Sequence, residues 1–506
     1  MVTILLTTLN ARYHHASLGL RCLLANMAEL REQTALLEFD LEQTPRDMAE
    51  GILAHRPRIL GLGVYIWNVA LIASLVRLLK RLQPELRIIL GGPEASHEIE
   101  CQPWMNQADY IVRGEGETLF PALCRAILHD TPPAERLLGP QEANLATLAL
   151  PYDEYSDADL AHRHVYVESS RGCPFTCAFC LSALDRKVRS FPLPAFLQAM
   201  ARLMDRGARQ FRFVDRTFNL SLEHSLAILD FFRRQLADHP DLFLHFEMIP
   251  DHFPARLRET VEAFPPGTLQ FEVGLQSFDA TVQERIARKQ DLAATEANLL
   301  WLRRKTGVHL HVDLIIGLPG EDATGFAAGF DRLWRLAPHE IQLGLLKRLR
   351  GTPLTASETA FGMVFNPDPP YDLLANDRLD FATVQGLKRL ARFWDLLGNS
   401  GRFPTTLPLL LAPPGSPFER FRMLTEALHR AAGTSHGIAL RRLCQLIQQQ
   451  APEVLGLDPE RVRESLTRDY LRNQPKEKGT FLDPPTERAV GTAAGPPARQ
   501  KRHGAP

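Results

Sequence analysis

The chain has 506 residues, with 58 Lys and Arg against 59 Asp and Glu and a formal charge of −1, a balance that speaks against a protein built to coat nucleic acid or an anionic membrane. Its 45% hydrophobic and 23% charged residues fit a globular chain of about three domains. Seven cysteines are too few for a disulfide scaffold, no apolar run reaches the roughly 18–20 residues of a membrane span, and the opening MVTILLTTLN lacks the basic n-region and cleavage site of a signal peptide.

Residues 1–135 alternate short apolar runs with helical patterns. The runs are Val2–Leu9, Ala35–Asp40, Ile59–Val64, Leu86–Leu90 and Tyr110–Val112; Leu18–Leu30 and Val69–Leu82 read as helices between them. Continuous apolar strands in such an alternation predict a doubly wound, Rossmann-like parallel sheet. Ligands bind such sheets at the carboxyl ends of the strands. There the chain carries Gly91-Gly92-Pro93-Glu94 and Gly114-Glu115-Gly116-Glu117. Glycines in these loops either let a bulky ligand approach the backbone or simply turn the chain. No G-x-G-x-x-G stands at the first turn.

Residues 136–160, with Gly139-Pro140 and an acidic stretch, read as a linker. A second alternation fills 161–360, with strands at His164–Ser170, Gln210–Val214, Leu242–Ile249, Leu269–Leu275, Leu310–Ile316 and Ile341–Leu346. Helical patterns at 194–206, 221–236, 254–264, 279–304 and 324–336 complete the expectation of a (β/α)6 partial barrel, whose chemistry lies at the strand C-termini. Residues 361–474 read as a helical domain, with helices at 376–398, 416–432, 437–450 and 459–473. Leu390, Phe393, Trp394 and Leu397 there follow a core-facing pattern. Residues 475–506, rich in Pro and Gly, read as a disordered tail.

Just past the first barrel strand stands Ser169-Ser170-Arg171-Gly172-Cys173-Pro174-Phe175-Thr176-Cys177-Ala178-Phe179-Cys180, a C-x3-C-x2-C spacing. Structural zinc sites normally take four protein ligands in two pairs. Three thiolates on one loop suit a [4Fe–4S] cluster with one iron left open for a small molecule. The four remaining cysteines are scattered, and Cys22 and Cys124 fall in apolar helical patterns typical of core thiols.

The cysteine loop resembles that of the radical S-adenosylmethionine (SAM) superfamily, and the resemblance covers about residues 164–354. It implies that Cys173, Cys177 and Cys180 hold the cluster, that SAM binds its open iron, and that SAM is cleaved to a 5′-deoxyadenosyl radical. It further implies that Phe179 lies by the adenine, that Asp215 meets the SAM amino group, and that Glu272 and Gln276, in Glu272-Val273-Gly274-Leu275-Gln276-Ser277, lie near the ribose and carboxylate. Ile315, in Asp313-Leu314-Ile315-Ile316-Gly317, would flank the adenine. Without the resemblance, Asp215, Glu272 and Gln276 are strand-end polar residues that could equally cap the next helix.

The loops at Gly91, Gly92 and Pro93 and at Gly114 and Glu115 resemble those of the cobalamin-binding domain of cobalamin-dependent radical SAM enzymes. Asn10–Leu20 is similar to the first loop of a branch that ends in a helical domain of uncharacterised function. This implies cobalamin as a third cofactor and methylation of an unactivated carbon as one outcome, with ring contraction and oxidation as others. The D-x-H-x-x-G motif is absent from residues 1–150, and His14 and His15 read as surface or capping residues rather than cobalt ligands. The resemblance also implies a small-molecule or unassigned substrate, an electron donor such as a flavodoxin or ferredoxin, no membrane or nucleic-acid partner, and a reducing, cytoplasmic setting. Two alternatives remain. A methylthiotransferase with two clusters would recruit further N-terminal cysteines, for which Cys22, Cys101 and Cys124 are poorly spaced. A non-catalytic cobalamin or iron–sulfur sensor would not need an intact SAM pocket.

Overall fold

The computed structural model describes residues 2–474 apart from Pro103, so the expected tail lies outside the described residues. The chain forms two compact units. The first comprises the described residues up to Phe246 with Arg348–Thr355 and Asn366–Tyr371; the second comprises Glu247–Lys347, Ala356–Phe365 and the described residues from Asp372 on.

The first unit opens with strands β1 (Ile4–Asn10), β2 (Thr34–Asp40), β3 (Ile59–Gly63), β4 (Arg87–Gly91), β5 (Tyr110–Gly114) and β6 (Leu137–Gln141). All pair in parallel, in the order β2-β1-β3-β4-β5-β6. Alternation along the strands sorts the apolar side chains between two faces. Ile4 and Leu6 pack with Leu20 and Leu24 of helix α1 (Leu18–Ala25). Leu5 and Leu9 pack on the other face with Met48 and Ile52 of α2 (Pro45–Ala54) and Ile72 and Val76 of α3 (Val69–Leu82). Helix α4 (Leu119–Leu128) returns to the α1 face through Phe120 and Leu123. Both faces are thus covered, as an all-parallel sheet requires. The strand order reverses beside β1, which opens a crevice at the carboxyl ends of β1 and β3.

Three expectations for this region are corrected. Residues 136–160 are not a plain linker, because Leu137–Gln141 adds the sixth strand and Asp157–His162 forms a helix with a Ser156/Asp159 capping box. The first helix stops at Ala25, where the Asn26 amide group bonds back to Cys22 O at 2.8 Å and Ala28 takes φ +50°. The strand expected over His164–Ser170 splits in two, for the reason given below.

Arg21 stitches the sheet to the segment that leaves it. The residue is 1% exposed, and its guanidinium is the paired group. It meets Glu38 at 2.9 Å and Asp159 at 2.8 Å, and lies over the Tyr155 ring. Arg163 adds a second cation to Glu38 at 2.7 Å.

Beyond this segment the first unit continues with β7 (Val165–Val167), β8 (Ser170–Arg171), β9 (Arg189–Ser190), β10 (Gln210–Phe213) and β11 (Phe243–Met248). β10 pairs in parallel with both β7 and β11, while β8 and β9 form a short antiparallel ribbon.

In the second unit, β12 (Leu269–Gln276), β13 (His309–Ile316) and β14 (Glu340–Leu345) pair in parallel, and β15 (Val364–Phe365) and β16 (Leu373–Ala375) make a small hairpin. The single helix expected over 279–304 is two, Ala280–Arg285 and Leu292–Lys305. Ala287 at φ +52° breaks the first, and the Asp291 side chain caps the second. The helical region follows as Phe381–Leu397, Thr406–Leu410, Pro417–Ala432, Leu440–Leu455 and Pro459–Asn473. Trp394 is its pivot, 2% exposed and packed edge-on against Phe330, Trp334 and Phe421.

Replacing Arg21 with Met leaves Glu38 and Asp159 short of their shared buried cation. The expected cost is about 3–5 kcal/mol, read as a lower urea midpoint in equilibrium unfolding.

Candidate active site

The sequence turns sharply at Gly172. Its φ is +97°, and a Cβ there would lie 2.4 Å from the carbonyl oxygen of Lys187. Only glycine lets the two limbs of the loop approach this closely. The β8–β9 ribbon closes the loop at its base, with Arg171 directly opposite Arg189. This is why the expected long strand breaks after Val167. Within the loop the Cys173 amide donates to Asp185 O at 2.8 Å and the Cys180 amide to Cys177 O at 3.1 Å. Cys173 and Cys177 are buried, Cys180 is half-buried, and none is in a disulfide. Phe179, beside Cys180, is half-buried.

Among the described residues no three His, Cys, Asp or Glu converge on a single ion, the arrangement a mononuclear zinc centre needs. Three thiols on a glycine-hinged loop suit a cluster, in which each thiolate takes its own iron.

The two ribbon arginines grip the loop that follows β5. Arg189 meets Glu115 at 2.5 Å, and Arg171 meets Glu115 at 3.4 Å, Glu117 at 2.9 Å and Glu168 at 2.9 Å. Burial pushes the Glu115 carboxyl up, but Arg189, the Ala143 amide and Arg171 hold it below its ordinary value. Residues 348–355 brace the cysteine loop and the segment after β4. Leu354 N donates to Ala178 O at 2.9 Å, while Arg348 and the Gly351 amide hold Glu98, after β4, at 2.6 and 3.1 Å.

The glycine-rich loops sit where a large ligand would need them. A cavity of about 260 Å³ opens between α1, α4 and the ends of β3, β4 and β5. Gly91, Gly92, Gly114 and Glu115 line it, with Gly61, Gly63 and Gly116. Gly92, at φ +104°, has Val64 O 2.6 Å from where a Cβ would stand, and a Cβ on Gly116 would touch Leu23 at 3.0 Å. Glycine backbone thus forms part of the wall, with Leu20, Leu23, Tyr65 and Phe120 beside it, which leaves room for a bulky cofactor. A second cavity, about 620 Å³, lies over the ends of β4, β5 and β6. Gly92, Pro93, Gly114 and Glu115 line it together with Leu181, Leu184 and Arg189 of the cysteine loop and ribbon. All five residues expected for cobalamin thus line these two cavities, and the larger cavity also borders the cysteine loop.

Asp215, expected to meet the SAM amino group, lies just past β10. It is 1% exposed. Its carboxylate accepts bonds from Ser169 N at 3.0 Å, Ser169 Oγ at 2.6 Å and Ser170 Oγ at 2.7 Å. Burial raises its pKa, against the pull of these bonds. It braces the chain entering the cysteine loop. His224 Nε2 extends the brace to Ser169 Oγ at 3.1 Å.

In the second unit Glu272 lies opposite His311 in the β12–β13 register, and Glu340 lies opposite His311 on β14. His311, Asp313 and Ile315 share the less buried face of β13. Gln276 closes β12 at a register shift, with φ +74° and its Oε1 buried without a hydrogen-bond partner. His311 Nε2 is 3.2 Å from Asp313 Oδ1 and its Nδ1 4.0 Å from Glu340 Oε2. Burial alone would lower its pKa. Asp313, Glu272 and Glu340 overrule burial and push it up to about 9. The Arg171/Arg189 grip and the His311 network both join residues distant in sequence, and only the position of Arg171 beside the Gly-Cys-Pro turn hinted at the first.

Residues 4–124 match the B12 binding domain, residues 167–328 the Radical SAM superfamily, and residues 359–488 a family described as a protein of unknown function (DUF4080). The chain therefore carries a B12-binding domain, a radical SAM domain and a C-terminal DUF4080 region, and with the first two come a [4Fe–4S] cluster, SAM and cobalamin as cofactors. It is 25% identical over 341 residues to the cobalamin-dependent radical SAM methyltransferase TokK of Streptomyces tokunonensis, covering 60% of this chain and 48% of that one. It is 26% identical over 338 residues to 2-(S-pantetheinyl)-carbapenam-3-carboxylate methyltransferase of Streptantibioticus cattleyicolor, covering 58% and 47%. The chain thus spans about half the length of these curated relatives. In fold it is similar to the radical SAM methyltransferase TsrM of Kitasatospora setae, with a TM-score of 0.60, 17% identity, and coverage of 85% of this chain and 99% of that one. The α/β architecture and the family resemblance carried by the cysteine and glycine loops both hold. Among the described residues no helix is long and apolar enough to cross a membrane.

The raised His311 yields a pH prediction. Its stabilisation is complete below about 6.5 and fades as pH rises through about 9. Urea midpoints should fall over that window in the wild type, and His311→Gln should flatten the fall.

Proposed function

We propose that this chain is a cobalamin-dependent radical SAM methyltransferase acting on an unactivated carbon of a small molecule. The observation that carries the reading is the cysteine loop, closed by a two-residue ribbon whose arginines hold the glycine-rich loop lining the cavities of the B12-binding domain. The two methyltransferases to which the sequence is similar support it.

When bound, the cluster and SAM supply a 5′-deoxyadenosyl radical, and cobalamin supplies a methyl carrier. The chain's own residues do the rest. Cys173, Cys177 and Cys180 offer three thiolates and leave one metal corner for a ligand. Asp215 fixes Ser169 and Ser170 so that the loop enters at one angle. Gly91, Gly92, Pro93, Gly114 and Glu115 frame the cobalamin cavities, and Arg189 keeps Glu115 ionised in place. For SAM we assign Phe179 on the first unit and, on the second, Glu272, Gln276 and Ile315 on β12 and β13. His311 holds a proton beside Glu272 at neutral pH. Electrons would come from a flavodoxin- or ferredoxin-type donor in a reducing cytoplasm.

A second N-terminal cluster is not favoured. Cys22 and Cys124 are buried in helices, and burial raises both thiols well away from the thiolate form a cluster needs.

The test is anaerobic turnover with SAM and a chemical reductant. The wild type should form 5′-deoxyadenosine, and Cys173→Ala, Cys177→Ala and Cys180→Ala should each reduce it to background. Cys22→Ala should leave it intact. Loss of cleavage in Cys22→Ala, with the protein still folded by circular dichroism, would favour the two-cluster reading instead.

A further inference from the structure

The second unit holds a cavity whose lining includes none of the residues assigned above to a cofactor. It measures about 270 Å³ and opens where β14 begins, beside the end of the helix Phe381–Leu397 and the chain that follows it. His339 and Ile341, on either side of the first residue of β14, belong to its lining. Gln276 and Ile315, assigned to SAM, stand instead near the carboxyl ends of β12 and β13. Because β12, β13 and β14 run parallel, the cavity sits at the opposite end of this sheet.

Its walls are flat and apolar. Trp334 and Trp394 meet edge to face at 5.8 Å, and Phe403 and Leu407 complete the lining beside them. The indole N–H of Trp394 is buried and has no hydrogen-bond partner among the described residues. Cε2, the carbon next to that nitrogen, lies 2.6 Å from where a Cβ on Gly398 would stand, and Gly398 also lines the cavity. Any larger residue at 398 would collide with this edge of the indole.

The rim is basic. Arg303 lines it, and its Nε donates to Ala337 O at 2.8 Å, which fixes the guanidinium in place. Among the described residues its terminal nitrogens have no partner. The same bond joins the ends of two helices. Arg303, Arg304 and Lys305 form the last turn of Leu292–Lys305, and Arg335 lies in the last turn of Ala323–Leu336. All four cations are exposed, and none has an ion-pair partner among the described residues. Helix carbonyl ends favour such cations, and together they set a positive potential over this end of the unit.

The geometry points to a binding site for a small aromatic carboxylate, with its flat body in the tryptophan-walled cavity and its carboxylate on Arg303. An apolar pocket with one placed charge is the usual form of a small-molecule site. Arg303 supplies a permanent cation and a planar donor edge whose Nη atoms are unused. With its Nε already engaged, that single guanidinium matches a single negative charge. The assignment stands on the second unit alone and does not depend on the reaction proposed above.

The experiment is 19F magnetic resonance of the full chain labelled with 5-fluorotryptophan, titrated with 2-naphthoate and separately with neutral 2-naphthamide. The Trp334→Phe spectrum assigns the Trp334 resonance. That resonance should shift saturably with 2-naphthoate, and the amide should bind more weakly. Arg303→Gln should weaken 2-naphthoate about three- to fivefold, the contribution of one exposed charge, and leave the amide unchanged. Leu407→Trp, which fills the cavity, should abolish the shift with both probes. Arg303→Gln sits at an exposed position and keeps the test decisive if the Leu407 variant does not fold. Absence of a saturable Trp334 shift with 2-naphthoate would overturn the site. Equal affinity for acid and amide, unchanged by Arg303→Gln, would overturn the assignment of a carboxylate.

Discussion

One carboxylate holds the arrangement together. Glu115 stands at the end of β5, in the loop that lines both cavities, and its oxygens are taken by Arg189 and Arg171 from the ribbon under the cysteine loop. These groups are largely withdrawn from water, so their attraction is screened less than at a surface and each charge left alone would be costly. The cysteine loop cannot move away from the glycine loop without separating these charges. A cluster and a corrin that must work together need such a fixed spacing, and in this chain ion pairs supply it where covalent connection does not.

Around that anchor, the ionisable residues serve mostly as braces. Asp215 spends both oxygens on Ser169 and Ser170. Glu98 receives Arg348 and a backbone amide from a segment some 250 residues later in the chain, and that same segment reaches Ala178 between two of the cysteines. Catalytic geometry depends on such supports, because a loop that carries ligands is only as precise as the bonds that fix its limbs.

The sequence was most informative where the physics is local. Three cysteines within eight residues, after a strand and a Gly-Cys-Pro turn, marked the loop expected to hold a cluster, and glycines at strand ends marked loops that line both cavities. The strands β1, β3 and β4 were plain from short runs rich in Ile and Leu. Other features depend on partners the sequence does not place side by side. β6, LLGPQ, contains Gly-Pro and is half exposed, so it reads as a linker until β5 supplies its pairing edge. The break at Ala287 needs a positive φ that its residue type does not advertise. Arg189 and Glu115 lie 74 positions apart, and His311 draws partners from both neighbouring strands as well as its own. Asp215 was legible as a strand-end carboxylate, whereas its bonds to Ser169 and Ser170 depend on the fold.

The chemistry proposed for this chain requires that Cys173, Cys177 and Cys180 hold one cluster in a chain that also holds cobalamin. The direct measurement is metal analysis and electron paramagnetic resonance of the chain reconstituted anaerobically with iron, sulfide and hydroxocobalamin, before and after SAM is added. The account predicts about four irons and one cobalt per chain, with a reduced-cluster signal that changes when SAM binds. About eight irons without cobalt, or a cluster signal that persists when all three cysteines are replaced, would contradict it.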